Sequence, residues 1–257
     1  MAREGDPRPS ILILRAGQPP PEVERELGDF PAWIARTAGN AWDGEFRTHD
    51  LRDETTALPP LGSAAAFVIT GSASSVTERA PWMLRAEEYV RAMVGARRPL
   101  FGICFGHQLV AQALGGEVRR NPRGREIGTV VARRASAAAD DALLAGLGEE
   151  LDVNMSHVDT VSRLPPESRL LLTSALDQAC AYAIGDAVRC VQFHPEFAAA
   201  AMRGYLRARA ALIRDEGGDP EALARAVRTT AEGATGGAET LRNFLRTVAL
   251  GPSLSAA

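Results

Sequence analysis

A cysteine between two glycines is the part of the sequence best suited to chemistry. The segment from Pro99 to Gln108 reads as an apolar strand, a tight turn at Cys104 and the start of a helix. Glycines at 102 and 106 let the backbone fold sharply, so this pattern is the thiol form of a nucleophile elbow. The positive end of the helix favours the thiolate, which is the attacking species. The alternative is an inert buried cysteine, since cysteine is among the most buried residue types.

The base for such a thiol must come from four histidines: His49, His107, His157 and His194. His194 ends an apolar strand at a proline, and Glu196 follows two residues later. An imidazole and a carboxylate supply the base and its orienting group, as in any nucleophile, imidazole and carboxylate triad. A structural His194 is the alternative, and the presence of Cys104 argues against it. We expect His107 to shape the pocket wall and His49 to lie at the surface.

The two motifs together resemble those of a class I glutamine amidotransferase. Residues 102 to 108 read Gly-Ile-Cys-Phe-Gly-His-Gln, and residues 192 to 196 read Gln-Phe-His-Pro-Glu. The likeness extends from about Ile11 to the helix after Phe197, and it is strongest for the amidotransferase part of GMP synthetase and its free-standing relatives. It implies that Cys104, His194 and Glu196 form the catalytic triad.

A turn of small residues follows the predicted strand from Ala64 to Thr70. This turn, Gly71-Ser72-Ala73-Ser74-Ser75, can bring backbone N–H groups close to a ligand, and such fixed donors suit an oxyanion hole. The resemblance places the turn beside the cysteine and implies that Ser72 and Phe105 donate the two N–H groups. Many relatives have proline where this chain has Ala73. An ordinary loop between a strand and a helix is the alternative.

The resemblance also implies a set of substrate-binding residues. Gln108, one helical turn after the cysteine, would contact the glutamyl end of the substrate. The segment Ser156-His157-Val158-Asp159 is similar to the family's Ser-His-Gly-Asp, which holds the amino-acid part of glutamine. Valine tolerates positive φ poorly, so a contact that relies on glycine there is expected to change, which favours a substrate other than glutamine alone. The implied set is Gly71, Gln108, Ser156, His157 and Val158.

Composition excludes several other classes of protein. All 29 basic residues are arginine, so the chain lacks the lysine of a Walker-type phosphate loop, of a pyridoxal Schiff base or of a lysine general base. A net charge of −3 gives no electrostatic footprint for nucleic acid. The three cysteines have neither metal-ligand nor disulfide spacing. We expect no cofactor, no metal and no nucleic-acid partner.

The hydropathy pattern predicts a cytoplasmic protein. No apolar run approaches the length of a membrane span, and residues 1 to 10 lack the apolar core of a signal peptide. Absence of a disulfide framework agrees with a reducing compartment.

The order of apolar runs predicts an α/β fold, an open doubly wound mixed sheet flanked by helices. Strand, helix and strand alternate from Ile11 to Ile103, which indicates parallel pairing, with ligands beyond the carboxyl ends of the strands. The resemblance implies the flavodoxin-like sheet of the family. Period-two patterns at 117–120 and 126–131 predict antiparallel strands at one edge of this sheet. Strands are also expected at 151–159, 169–173, 181–184 and 188–192, with a hairpin turn at Gly185-Asp186. The segment from Phe30 to Gly44 is not assigned.

We expect residues 1–215 to form the amidotransferase-like domain and residues 216–257 a helical extension packed on it. Amphipathic helices are predicted at 222–231 and 239–248, with a loop at 233–237 and disorder from 251. No pyrophosphate loop follows residue 197, so a separate synthetase chain is needed or the protein hydrolyses its substrate alone. The arginines at 119, 120, 123, 125, 133 and 134 form either a solvated face or a docking patch for an acidic partner.

Three functions follow from these residues. The first is a glutamine amidotransferase or glutaminase that cleaves the γ-amide of glutamine through a thioester on Cys104. The second is a γ-glutamyl peptidase, in which the same triad acts on a γ-glutamyl peptide or amine with no synthetase. The third is a catalytically idle binding subunit, which intact Cys104, His194 and Glu196 argue against.

Overall fold

The described part of the chain folds into eleven strands and eight α-helices. A computed structural model describes residues 9–138, 140–228 and 236–249. The strands are β1 Ser10–Arg15, β2 Glu45–Asp50, β3 Ala66–Ile69, β4 Leu100–Ile103, β5 Glu117–Arg120, β6 Glu126–Arg134, β7 Glu150–His157, β8 Asp159–Arg163, β9 Ser168–Thr173, β10 Ala181–Ile184 and β11 Val188–Val191. The helices are α1 Pro21–Leu27, α2 Phe30–Ala38, α3 Pro81–Gly95, α4 Phe105–Ala113, α5 Ala199–Ala208, α6 Ala210–Asp215, α7 Pro220–Ala226 and α8 Gly236–Ala249.

Nine strands form one mixed sheet in the order β2-β1-β3-β4-β11-β10-β9-β6-β7. The first five pair in parallel, and the pairs from β11 to β7 are antiparallel. The hairpin predicted at Gly185-Asp186 joins β10 and β11. Because β3, β4 and β11 are neighbours that run in one direction, the segments that follow them meet at one edge of the sheet. The predicted open, doubly wound mixed α/β fold is confirmed.

Alternate residues of the buried strands face two separate cores. On β1, Ile11 and Ile13 pack with α2 and α8 on one face of the sheet, whereas Leu12 and Leu14 pack with α3 and α4 on the other. This alternation follows from the period of two along a strand. A third apolar cluster, in which Phe30, Trp33, Phe197 and Tyr205 are buried, joins α1, α2, α5 and α6 beside the carboxyl edge.

The structure corrects two sequence-based expectations and assigns one segment that the sequence left open. Strand β5 does not lie at the edge of the main sheet, because it pairs with β8 in a separate two-stranded sheet. The unassigned segment after Phe30 begins with α2, whose N-cap Asp29 accepts a hydrogen bond from the Ala32 N–H at 3.1 Å. His49 is half-buried rather than exposed, and its Nε2 is buried without a hydrogen-bond partner.

The C-terminal helix α8 completes the core on the α2 side of the sheet. Leu241, Phe244 and Leu245 are buried there, and the Phe244 ring lies 5.1 Å from that of Phe101 on β4. Asp219 caps α7 by accepting a hydrogen bond from the Ala222 N–H. Residues 236 and 237 of the predicted loop belong instead to α8, while residues 233–235 and the tail from 251 lie outside the described residues. Within the described ranges, no helix is both long and apolar enough to cross a membrane.

Candidate active site

The elbow at Cys104 joins β4 directly to α4. Cys104 has φ of +51° and ψ of −100°, a left-handed conformation that a residue with a Cβ adopts at a cost of about 1–3 kcal/mol. Its N–H donates to the Val191 carbonyl at 2.8 Å, and its carbonyl accepts from the Gln108 N–H at 3.1 Å. The strained residue is therefore fixed on both sides, by the neighbouring strand and by the helix that it starts.

The two glycines of the motif are required by close approach. A Cβ at Gly102 would lie 2.8 Å from the carbonyl oxygen of Gly106, and a Cβ at Gly106 would lie 2.6 Å from that of Ile69. Both contacts are with backbone atoms, which cannot move aside cheaply. The spacing of glycines around Cys104 thus allows α4 to begin directly against β3.

His194 and Glu196 lie beside the cysteine, after the end of β11. The Nδ1 of His194 is 2.8 Å from Oε1 of Glu196, and the Cys104 side chain lies close enough to the same imidazole that each shifts the pKa of the other. Exposed fractions are only 5% for Cys104, 3% for His194 and 2% for Glu196. The three residues predicted from the motifs therefore meet in one buried group with the connectivity of a nucleophile, base and orienting carboxylate.

Burial and pairing act in opposite directions on these charges. Burial raises the pKa of the Cys104 thiol, but His194, with a smaller contribution from His157, lowers that pKa below its usual value. Burial also disfavours the charged imidazole, yet Glu196 and the Cys104 thiolate raise the pKa of His194 to about 10. Each of the two side chains therefore favours the charged form of the other, a thiolate beside an imidazolium.

An aromatic cluster and a buried amide hold the His194 loop. The Phe197 ring stacks on the imidazole at 3.9 Å, and Tyr205 packs on Phe197 at 4.6 Å between ring centroids. Asn154 on β7 accepts from the His194 N–H through its carbonyl and donates its side-chain amide to the Phe197 carbonyl, both at 2.8 Å. Sequence analysis missed Asn154 and Tyr205 because their partners are distant in the chain.

The turn after β3 packs directly on Cys104 and His194. A Cβ at Gly71 would lie 2.8 Å from Cε1 of His194 and 3.7 Å from the Cβ of Cys104. Ser72 follows, and Phe105 is the first residue of α4, where N–H groups have no partner within the helix. The N–H donors expected to hold an oxyanion thus belong to segments that flank Cys104, and their role stays a prediction.

Gly71→Ala is expected to displace the His194 ring. The ring cannot retreat freely because Phe197 stacks against it, and a shift of about 1 Å in a catalytic group can cost about a hundredfold in rate. We expect labelling of Cys104 by a glutamine-analogue electrophile to slow by about tenfold to a hundredfold. Gly62→Ala, where an added Cβ would meet nothing within 4 Å, is the control. Equal labelling of Gly71→Ala and wild type would contradict the prediction.

The side chain of His157 forms hydrogen bonds with other groups of the protein. Its Nδ1 lies 2.8 Å from the Asp159 carbonyl oxygen, and its Nε2 lies 3.3 Å from Oε2 of Glu126. The Asp159 carbonyl can only accept, so Nδ1 carries a hydrogen, and Nε2 faces the Glu126 carboxyl group. Burial opposes a positive charge on the ring, but Glu126 and Asp177 raise the pKa of His157 above its usual value. Ser174 bonds both oxygens of Glu126 at 2.8 Å and completes this network.

The other residues proposed to bind substrate surround this network. The Nε2 of Gln108 donates to the Asp159 carbonyl and to Oε1 of Gln192, each at 3.0 Å. The hydroxyl of Ser156 is buried without a partner. Val158 is half-buried and does not have positive φ, since the non-glycine residues with positive φ in the described ranges are Arg79, Arg97, Cys104 and Glu167. Val158 thus has an ordinary φ, and the expected change in a substrate contact at this position stays a prediction.

His107 lies in the core rather than in a pocket wall. It is fully buried, its Nε2 bonds the Ala179 carbonyl at 2.7 Å, and its own carbonyl accepts from the Tyr182 hydroxyl at 2.7 Å. Burial lowers the pKa of His107 to about 3. A neutral His107 therefore fixes α4 to the segment that enters β10.

Two arginines of the cluster pair with carboxylates of the protein, and others donate to backbone carbonyls. Arg125 bonds both oxygens of Glu216, at 2.8 and 3.1 Å, while Arg123 donates to the carbonyls of residues 175 and 176 and Arg133 to Glu150. Arg120, Arg123, Arg125 and Arg133 border a cavity of about 810 Å³. A docking role for this surface stays a prediction.

Comparison with known proteins matches most of this chain to one protein family. The family model described as glutamine amidotransferase class-I matches residues 46–210. Gamma-glutamyl peptidase 4 of Arabidopsis thaliana is 32% identical over 165 residues, which cover 62% of this chain and 63% of that protein. A GMP synthase [glutamine-hydrolyzing] subunit of Saccharolobus solfataricus is 36% identical over 132 residues, 50% of this chain and 65% of that protein. The chain thus spans just under two thirds of these curated relatives.

A solved structure extends the likeness of fold over nearly the whole chain. A glutamine amidotransferase from Thermotoga maritima superposes with a TM-score of 0.75 at 22% identity, covering 94% of this chain and 98% of that one. The matched family region contains Gly71, the elbow and the His194 loop. The sequence motifs, the fold and the family match agree, and the chain belongs to the class I glutamine amidotransferases.

Proposed function

We propose that the chain hydrolyses γ-glutamyl amides, with Cys104 as nucleophile, His194 as acid and base, and Glu196 as the group that orients the imidazole. The observation that carries this proposal is the buried Cys104, His194 and Glu196 series, in which Nδ1 of His194 lies 2.8 Å from Glu196 and Cys104 lies beside the same imidazole. The strained elbow supports it, since strain of this kind is typical of functional sites.

The reaction follows from the charges of this group. The Cys104 thiolate attacks the γ-carbonyl carbon, and the oxyanion that forms is held by the N–H groups of Ser72 and Phe105. The His194 imidazolium gives its proton to the leaving nitrogen, so the C–N bond breaks and a γ-glutamyl thioester remains on Cys104. The now neutral imidazole takes a proton from water, whose hydroxide attacks the thioester and releases glutamate and the thiolate. Gly71, Gln108, Ser156, His157 and Val158 surround the glutamyl part.

Two leaving groups fit this chemistry. With ammonia as the leaving group, the substrate is glutamine, and the ammonia passes to a synthetase; the Saccharolobus solfataricus relative is named as a subunit of GMP synthase. With an amino acid or peptide as the leaving group, the chain acts alone, and the Arabidopsis thaliana relative is named a gamma-glutamyl peptidase. Arg209, a half-buried arginine for which the described residues supply no acceptor, favours the second candidate.

The full chain, purified alone, tests the proposal. We expect glutamate release from γ-glutamylglycine to exceed release from glutamine, and both to require Cys104. Hydroxylamine should divert the thioester to γ-glutamyl hydroxamate, which a colorimetric assay detects. Faster cleavage of glutamine, accelerated by a synthetase, would favour the role of an ammonia-supplying amidotransferase. Failure to cleave either compound would contradict the proposed activity.

A further inference from the structure

Arg209 lies at the junction of α5 and α6, on the side of the site where His194 is held. Its guanidinium carbon is 5.5 Å from the centroid of the Tyr205 ring. That ring lies 6.4 Å from the imidazole of His194 and 4.6 Å from Phe197, which stacks on the imidazole. A continuous set of rings therefore connects the catalytic base to a cation.

This cation has no acceptor of its own in the described part of the chain. Other arginines of α5 and α6 do: Arg203 donates to the Ala224 and Val227 carbonyls, Arg207 pairs with Glu26, and Arg214 pairs with Glu221. Arg209 is half-buried, and neither a carboxylate nor a carbonyl bonds its guanidinium. A partly desolvated cation without an acceptor is costly, so an anion supplied from outside would stabilise it.

Nearby groups do not meet that need. Glu216, a carboxylate close enough to raise the pKa of Arg209, bonds Arg125 through both of its oxygens. Burial lowers the pKa of the Arg209 guanidinium and Arg125 lowers it further, whereas Tyr205, Cys104 and Glu216 act in the opposite direction.

The course of the reaction decides which part of a substrate passes Arg209. His194 must reach the leaving nitrogen to protonate it, so the rest of the leaving group extends past the imidazole and the residues packed on it. Those residues are Phe197, which stacks on the imidazole, and Tyr205, which packs on Phe197. The Arg209 guanidinium lies on the Tyr205 ring. The glutamyl part lies elsewhere, towards Gln108 and the His157 loop.

We propose that Arg209 binds a carboxylate on the leaving amine, so that the site selects γ-glutamyl amino acids and short γ-glutamyl peptides over glutamine. A guanidinium bonds a carboxylate through two parallel N–H groups, and the Tyr205 ring keeps its plane in place. Glutamine releases ammonia, which carries no carboxylate and gains nothing from this contact. The inference rests on the proposed hydrolysis of γ-glutamyl amides and adds the chemical class of the leaving group.

The experiment compares two substrates that differ in the leaving group alone. γ-Glutamylglycine carries the carboxylate, and γ-glutamyl methylamide does not. For the full-length chain we expect Arg209→Gln to lower kcat/KM for γ-glutamylglycine about tenfold to a hundredfold more than kcat/KM for the methylamide. Arg209→Lys, which keeps the charge without the fork, should restore part of the preference. Arg207→Gln, two residues away and paired with Glu26 at the surface, is the matched control.

Each result decides the question. Equal losses on the two substrates would assign Arg209 a structural role, and no loss on either would show that it does not meet substrate; both would overturn the inference and leave the proposed function standing. If wild-type protein cleaves neither compound in a manner that requires Cys104, the proposed function fails and the inference fails with it.

Discussion

Cys104→Ala is expected to reduce hydrolysis of γ-glutamyl amides by about four orders of magnitude or more, because no other group can form the thioester. The fold should persist, since alanine keeps the Cβ and the left-handed backbone already present at this position. Initial-rate measurements of glutamate release, with circular dichroism and thermal unfolding as checks of folding, would establish this.

A buried cysteine elsewhere provides the control for this variant. Burial raises the pKa of the Cys190 thiol to about 12, so Cys190 has little thiolate at neutral pH. Cys190→Ala should therefore retain activity and labelling by a glutamine-analogue electrophile, and Cys104→Ala should lose both. Substantial turnover by a folded Cys104→Ala protein would contradict the assignment of the nucleophile.

The elbow is predictable from sequence because its motif is local, with glycines at 102 and 106 that precede and follow Cys104 by two residues. Of the two close approaches that require these glycines, the one between Gly102 and Gly106 is local, whereas the one between Gly106 and Ile69 on β3 is tertiary. The parallel strands are predictable for a similar reason, since short apolar runs buried on both faces leave few other structures. These features place Cys104 and the Gly71 turn at one edge of the sheet before any tertiary contact is known.

Pairing between strands depends on contacts that a single sequence does not reveal. The alternation at Glu117–Arg120 correctly indicates a strand, yet period two does not identify the partner, which is β8 and not the main sheet. The α2 helix was open to prediction, because Asp29 followed by a proline in the first turn is a start signal.

The supporting residues of the site were the hardest to foresee. Asn154, Tyr205 and Arg209 have no local motif, and each acquires its role from a partner brought near by the fold. His157 lies in a motif, but its pairing with Glu126 depends on the register of β6 against β7. A buried polar side chain is recognisable as functional only once its neighbours are known.

Removal of the imidazole is expected to have the second large effect. His194→Asn removes both the charge that stabilises the Cys104 thiolate and the acid that protonates the leaving nitrogen. We expect hydrolysis to fall by about 10² to 10⁴-fold, the usual contribution of a positioned acid and base. His49→Asn, on β2, is the control and should leave the rate unchanged.

The same variant separates the role of His194 in the ground state from its role in turnover. In wild type, His194 lowers the pKa of Cys104, so iodoacetamide should alkylate the thiol readily at neutral pH. Without the imidazolium, burial dominates and the thiol pKa rises, so the alkylation rate at pH 7 should fall and its midpoint should move to higher pH. An unchanged alkylation profile together with lost turnover would limit His194 to proton transfer, whereas an unchanged profile with unchanged turnover would remove it from the mechanism. Either result would contradict the ion pair between Cys104 and His194.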